Sequence, residues 1–137
     1  REILEDRLLS LIFENPQKYI PEYASLLVSP FGRGVVSEYN NFLKDHKKFV
    51  LLRFVKNLPA ELSVRFSELM LGIGDADTNV EKELESIKRE IEMVDIRVEM
   101  EGLRTKISEF EDKGEEKDLS KAEKRFNELA LNLKKHV

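Results

Sequence analysis

Gly72-x-Gly74, with Asp75 and Asp77 close behind, is the first stretch whose residue types and spacing could do chemistry. Closely spaced glycines can bring backbone amides up to a phosphate, and two nearby carboxylates can hold a cation. The stretch lacks the third glycine and preceding strand of a dinucleotide motif, and lacks the Gly-Lys-Ser/Thr of a phosphate loop. The simpler expectation is a glycine that ends one helix, followed by acids that favour the N-terminus of the next. His46 and His136 lie far apart in a chain without cysteine, so neither a shared metal pair nor a pair of catalytic bases is expected. His46 reads as a polar residue of the Lys44–Lys48 turn, and His136 as a C-terminal helix residue. Carboxylates crowd residues 81–128, but many have Lys or Arg three or four positions away, as Glu85 has Lys88 and Arg89, and Glu101 has Arg104. That spacing supports a helix surface and needs no catalytic explanation. Arg33, between two glycines, could make a flexible basic contact, but an ordinary surface loop is preferred. No catalytic, cofactor-binding or metal-ligating residue is assigned, and a non-enzymatic chain is expected.

Composition narrows the classes further. The net charge of −4 and the absence of any Lys/Arg run longer than two argue against nucleic acid as the main ligand. The absence of cysteine removes disulfides, thiolate zinc sites and thiol nucleophiles, and fits a reducing compartment. No apolar run approaches the ~20 residues of a membrane span, and no signal peptide is recognisable. The chain opens at Arg1 without Met and reads as a fragment or processed piece. Charge is uneven: residues 1–75 carry 20 charged side chains, and the shorter stretch 76–137 carries 30. The second part is therefore mostly solvated helix surface, too thin to hide many residues.

The elements follow from apolar spacing and from Pro and Gly. Leu4, Leu8, Leu9, Leu11 and Ile12 make the face of a first helix, which should end near Glu14 because Pro16 disfavours helix before it. Tyr19, Tyr23, Leu26 and Leu27 predict a short second helix with Pro21 in its first turn. Residues 29–34 read as a loop from their Pro and Gly content. Val35, Val36, Tyr39, Phe42 and Leu43 make a third helix. Residues 49–55 have strand-like composition, yet helix is preferred because no second strand candidate could pair with them. Pro59 is expected to open a fifth helix through Leu62, Phe66, Leu69 and Met70.

The rest of the chain carries three apolar stripes. Val80, Leu84, Ile87, Ile91, Val94 and Val98 recur at helical steps, and Ile96, Met100, Leu103, Ile107 and Phe110 do so again. At about 100° per residue the two stripes lie roughly 160° apart on one long helix. Its first half should face one partner and its second half another, with a flexible junction near Val94–Gly102. Lys113-Gly114-Glu115 breaks the pattern, and Leu119, Ala122, Phe126, Leu129, Leu133 and Val137 return as a third stripe. Thr78–Glu81 and Ser120–Glu123 have capping-box spacing and are expected to open the two helices. Leu131 falls more than 90° off the last stripe and is a candidate contact.

These features together resemble a known family. The leucine-rich opening Arg7-Leu8-Leu9-Ser10-Leu11-Ile12-Phe13-Glu14-Asn15-Pro16, the helical body and the charged hairpin are similar to the C-terminal helicase-binding domain of bacterial DnaG-type primases. The closing segment carries more of the likeness: Leu103 to Glu111, the Gly114 turn, Leu119-Ser120-x-x-Glu123, and Asn127-Glu128-Leu129-x-Leu131-x-Leu133-Lys134-Lys135. The opening segment also resembles the N-terminal domain of replicative helicases. The likeness spans nearly the whole chain, but its motifs are hydrophobic spacing and turn residues, and residues 29–60 match only as helices of plausible length.

The resemblance implies an all-α fold: a helical bundle over residues 1–95 and a C-terminal helical hairpin over 96–137. It implies docking of primase onto the hexameric replicative DNA helicase, through the helicase N-terminal domains, in the bacterial cytoplasm at the replication fork. The hairpin would anchor and the bundle would modulate helicase activity. The expected partner-binding residues are Leu103, Ile107, Phe110, Leu119, Phe126, Leu129, Leu131, Leu133 and Val137. No cofactor, membrane contact or strong nucleic-acid binding is expected, and the isolated chain should be a monomer. A helical oligomerisation or adaptor module without a helicase link is the alternative.

Overall fold

The computed structural model describes residues 1–71 and 79–135. All regular structure among them is helical: α1 (Glu2–Ile12), α2 (Pro16–Tyr23), a 3-10 turn (Ala24–Leu26), α3 (Pro30–Asp45), α4 (Leu51–Asn57), α5 (Ala60–Leu71), α6 (Val80–Lys113) and α7 (Glu116–Lys135). The chain divides into two compact units, Arg1–Lys88 and Arg89–Val137. That division falls upstream of the expected boundary at residues 95/96, and α6 runs unbroken through it.

The first unit is built around aromatic rings. Phe13 stacks on Phe54 with centroids 5.5 Å apart and meets Phe66 edge-on at 5.0 Å. Tyr39 and Phe42 approach Phe54 edge-on from α3. Such pairs add about 0.5–1.5 kcal/mol each beyond the apolar area they bury. Leu8, Leu9, Ile12, Val35, Leu84 and Ile87 complete the interior. Of residues 49–55, Leu51 onward are helical in α4, Phe49 and Val50 precede the helix, and Phe54 is its buried anchor.

The first turns of α6 are tied to α1 and α2. Arg7 Nη2 lies 3.3 Å from Glu83 Oε2, and Lys18 Nζ pairs with Glu81. The Tyr23 hydroxyl donates to Glu85 Oε1 at 2.6 Å. Burial of the ring, then this hydrogen bond, push the Tyr23 pKa up. Asp6 accepts from Arg65 Nη2 at 2.9 and 3.0 Å, joining α1 to α5, and the same guanidinium sits 4.1 Å from the Phe31 ring centroid.

Several local expectations are corrected. Residues 29–34 are not a loop: Pro30 occupies the first turn of α3, and the Ser29 hydroxyl caps it by accepting from the Gly32 N–H at 3.1 Å. The glycines there serve packing. A Cβ on Gly32 would stand 3.2 Å from both Leu27 Cβ and Ser29 Oγ, and one on Gly34 would stand 3.4 Å from Leu62 Cδ1. Arg33 is thus a helix residue. It is Pro16 that opens α2, and Pro21 lies within that helix. Pro59 precedes α5, its carbonyl accepting from the Leu62 and Ser63 N–H groups.

Of the two expected capping boxes, the first falls partly outside the described residues and the second differs from expectation. Thr78 lies outside the described residues, as do Gly72, Gly74, Asp75 and Asp77. The α6 start is capped by Asn79, whose Oδ1 accepts from the Lys82 N–H at 3.2 Å, while Glu81 turns to Lys18. Ser120 opens nothing, because α7 already begins at Glu116. Glu116 and Asp118 supply first-turn acids that favour a helix N-terminus there.

Candidate functional site

The C-terminal unit is a helical hairpin made by the later turns of α6, a tight turn and α7. Gly114 has φ +70, the left-handed backbone region that glycine enters without a Cβ penalty. The Glu115 N–H reaches the Phe110 carbonyl at 3.0 Å and the Gly114 N–H reaches that of Glu111 at 3.3 Å. This is a Schellman stop, which satisfies the orphan carbonyls at the end of α6 and reverses the chain.

Arg125 of α7 sets the register. Its Nε donates to Glu99 Oε1 at 2.9 Å and its Nη2 to Glu99 Oε2 at 3.2 Å, a fork that fixes orientation as well as distance. Hydrogen bonding to Glu99 holds the guanidinium proton more firmly than usual. Glu128 adds a looser contact at 3.6 Å.

Burial sorts the nine expected partner-binding residues. Leu129 is 2% exposed and, with buried Ala122, is committed to the interior. Leu103, Ile107 and Phe110 on α6 and Leu119, Phe126 and Leu133 on α7 are half-buried, which suits stripes that hold the hairpin closed and leave a rim of apolar surface. Leu131 is 61% exposed. Val137 and His136 lie outside the described residues. The neighbours of Leu131 in sequence at helical spacing, Asn127, Glu128, Lys134 and Lys135, are exposed and polar or charged. Leu131 is therefore an apolar point on a hydrophilic face.

Two stabilising residues escaped the spacing argument. Glu5 is 3% exposed, and its Oε1 accepts from the Val28 and Ser29 N–H groups at 2.9 and 3.0 Å, while Oε2 lies 3.2 Å from Arg1 Nε. The available signal was its position: Glu5, Leu8, Leu9 and Ile12 share one helical stripe, so this carboxylate stands where a core residue would. His46 stacks flat on Phe42 with ring centroids 4.0 Å apart, and its Nδ1 lies 3.1 Å from the Phe42 carbonyl. That is a structural role.

Among the described residues no group of three His, Asp or Glu side chains is placed to hold a metal ion. No described helix is long and apolar enough to cross a membrane. Comparison of the chain with protein-family models, curated proteins and solved structures finds no match.

Proposed function

We propose that this chain is a protein-docking domain of the bacterial primase type, which joins primase to the hexameric replicative helicase at the fork and modulates that helicase. The observation that carries the docking role is exposed Leu131, held on a hairpin whose register is set by Arg125–Glu99 and whose turn is set by Gly114. An apolar side chain among charges, on a backbone fixed by its own helix pairing, is a preorganised contact that loses little entropy on binding. The half-buried rim of Leu103, Ile107, Phe110, Leu119, Phe126 and Leu133 would enlarge that contact. The identity of the partner rests on the sequence resemblance of the opening and closing segments. The all-α architecture is consistent with it.

The test is capture of the matching replicative helicase by the intact chain and by Leu131→Asp. The charge should weaken binding by about tenfold or more, the scale of an interface anchor, with the circular dichroism spectrum unchanged. Equal capture by both would remove Leu131 from the contact. No capture by the intact chain would remove the helicase.

A further inference from the structure

The first unit carries a second apolar surface that the docking role of the hairpin does not use. Two depressions, of about 730 and 570 Å³, share the walls formed by Glu14, Pro16 and Phe49. Leu43 lies in one, and Leu51 and Met70 in the other. Leu43 and Leu51 are each 38% exposed, and neighbouring Leu52 is 64% exposed. Adjacent apolar side chains left in water around a concave surface mark an interaction site more than a core fault.

The groove is lined by two cations, Lys47 and Lys48, against one acid, Glu14, and the segment that supplies the cations is basic in an acidic molecule. Residues 44–56 hold Lys44, Lys47, Lys48, Arg53 and Lys56 against one acid, Asp45, in a molecule of net charge −4. Lys47 and Lys48 line the larger depression directly, and both are exposed. We propose that this groove receives an amphipathic helix of a partner protein, its apolar side chains against Phe49, Leu43 and Leu51 and its acidic edge beside Lys47 and Lys48. Concavity favours a helix over a membrane, because a flat bilayer cannot fill a depression. Of the rings in the walls, Phe13 and Tyr39 are buried and His46 is already stacked on Phe42, which leaves Phe49 as the ring open to stacking, whereas a single-stranded nucleic acid needs several for successive bases.

The test uses the full chain and a fluorescein-labelled amphipathic peptide, with Leu or Phe at i, i+3, i+4 and i+7 and Glu along its polar edge. A second peptide replaces every Glu by Lys. Phosphatidylserine vesicles and an oligo-dT strand are the competing probes. Fluorescence anisotropy should show saturable binding of the acidic peptide and at least about tenfold weaker binding of the basic one. Binding of the acidic peptide should fall by a similar factor in Lys47→Glu/Lys48→Glu and in Leu51→Asp. All three positions are exposed, so unchanged melting curves will show that the fold is kept. Leu131→Asp should leave peptide binding unaltered, which separates this site from the hairpin contact. Equal binding of both peptides, no binding, or affinity for vesicles or oligo-dT with none for the acidic peptide would overturn the proposal.

Discussion

Replacing Glu5 by alanine should destabilise the first unit far more than any surface carboxylate would. The side chain is buried and accepts two backbone N–H groups, from Val28 and Ser29, while facing Arg1. Hydrogen bonds to a charged group contribute about 1.5–3 kcal/mol each. Removing this acceptor leaves the two amides without their partner and takes the facing carboxylate from Arg1. The expected cost is about 3–5 kcal/mol, as for breaking a buried charged pair. Against a total stability of about 5–15 kcal/mol, that is a large share. It should lower the urea midpoint by about 2 M for a domain of this size. Glu5→Gln keeps the carbonyl oxygen and loses the charge, so about 1–2 kcal/mol should be lost. Glu68→Ala, at an exposed position of α5, should stay within about 0.5 kcal/mol of the wild type. Urea unfolding followed by circular dichroism at several protein concentrations measures all three. If Glu5→Ala unfolds at the midpoint of Glu68→Ala, water satisfies the residue 28–29 amides and the tether contributes nothing.

Three further substitutions test the local structure of the two units. Burial and the bond to Glu85 raise the Tyr23 pKa above the ordinary value near 10, so the unfolded chain loses this proton first as pH rises. The Tyr23 contribution is thus fully present below about pH 10 and lost above it, and the stability gap between wild type and Tyr23→Phe should shrink from pH 8 to pH 11. A gap that widens would contradict the assignment. The two hairpin glycines should respond with opposite signs. A Cβ on Gly102 meets nothing within 4 Å inside α6, so Gly102→Ala should stabilise by about 1 kcal/mol. Gly114 sits at φ +70, so Gly114→Ala should cost about 1–2 kcal/mol. Thermal melts of both variants that shift the same way would refute the local backbone argument.

Much of the fold was legible because helices announce themselves by a local period. The stripes over Leu84, Ile87 and Ile91 and over Leu119, Phe126, Leu129 and Leu133 name their own buried faces, and the structure buries or half-buries each of these. Gly114 could be placed as the hairpin turn because breaking two periodic segments is a local act. Residues 29–34 misled for the opposite reason. Glycine is read as a turn residue from composition, whereas Gly32 and Gly34 are small because Leu27 and Leu62 press against them from elsewhere in the chain. Ser120 misled likewise, since a capping pattern inside a helix looks the same as one at its start.

By itself, then, the chain of residues determined the all-α class, the place of the hairpin turn and most of the stripe assignments, all of which depend on neighbours within one or two helical turns, although Val98, placed on the first α6 stripe, is 67% exposed. Only tertiary packing decided which apolar residues are used up and which stay exposed. Leu129 and Leu133 lie on the same stripe one turn apart, yet one is buried and the other only half-buried. The burial of Glu5 also needed residues 28 and 29 to supply its donors. Sequence spacing gives a direction around a helix axis, and only the element packed on that side determines whether water is there.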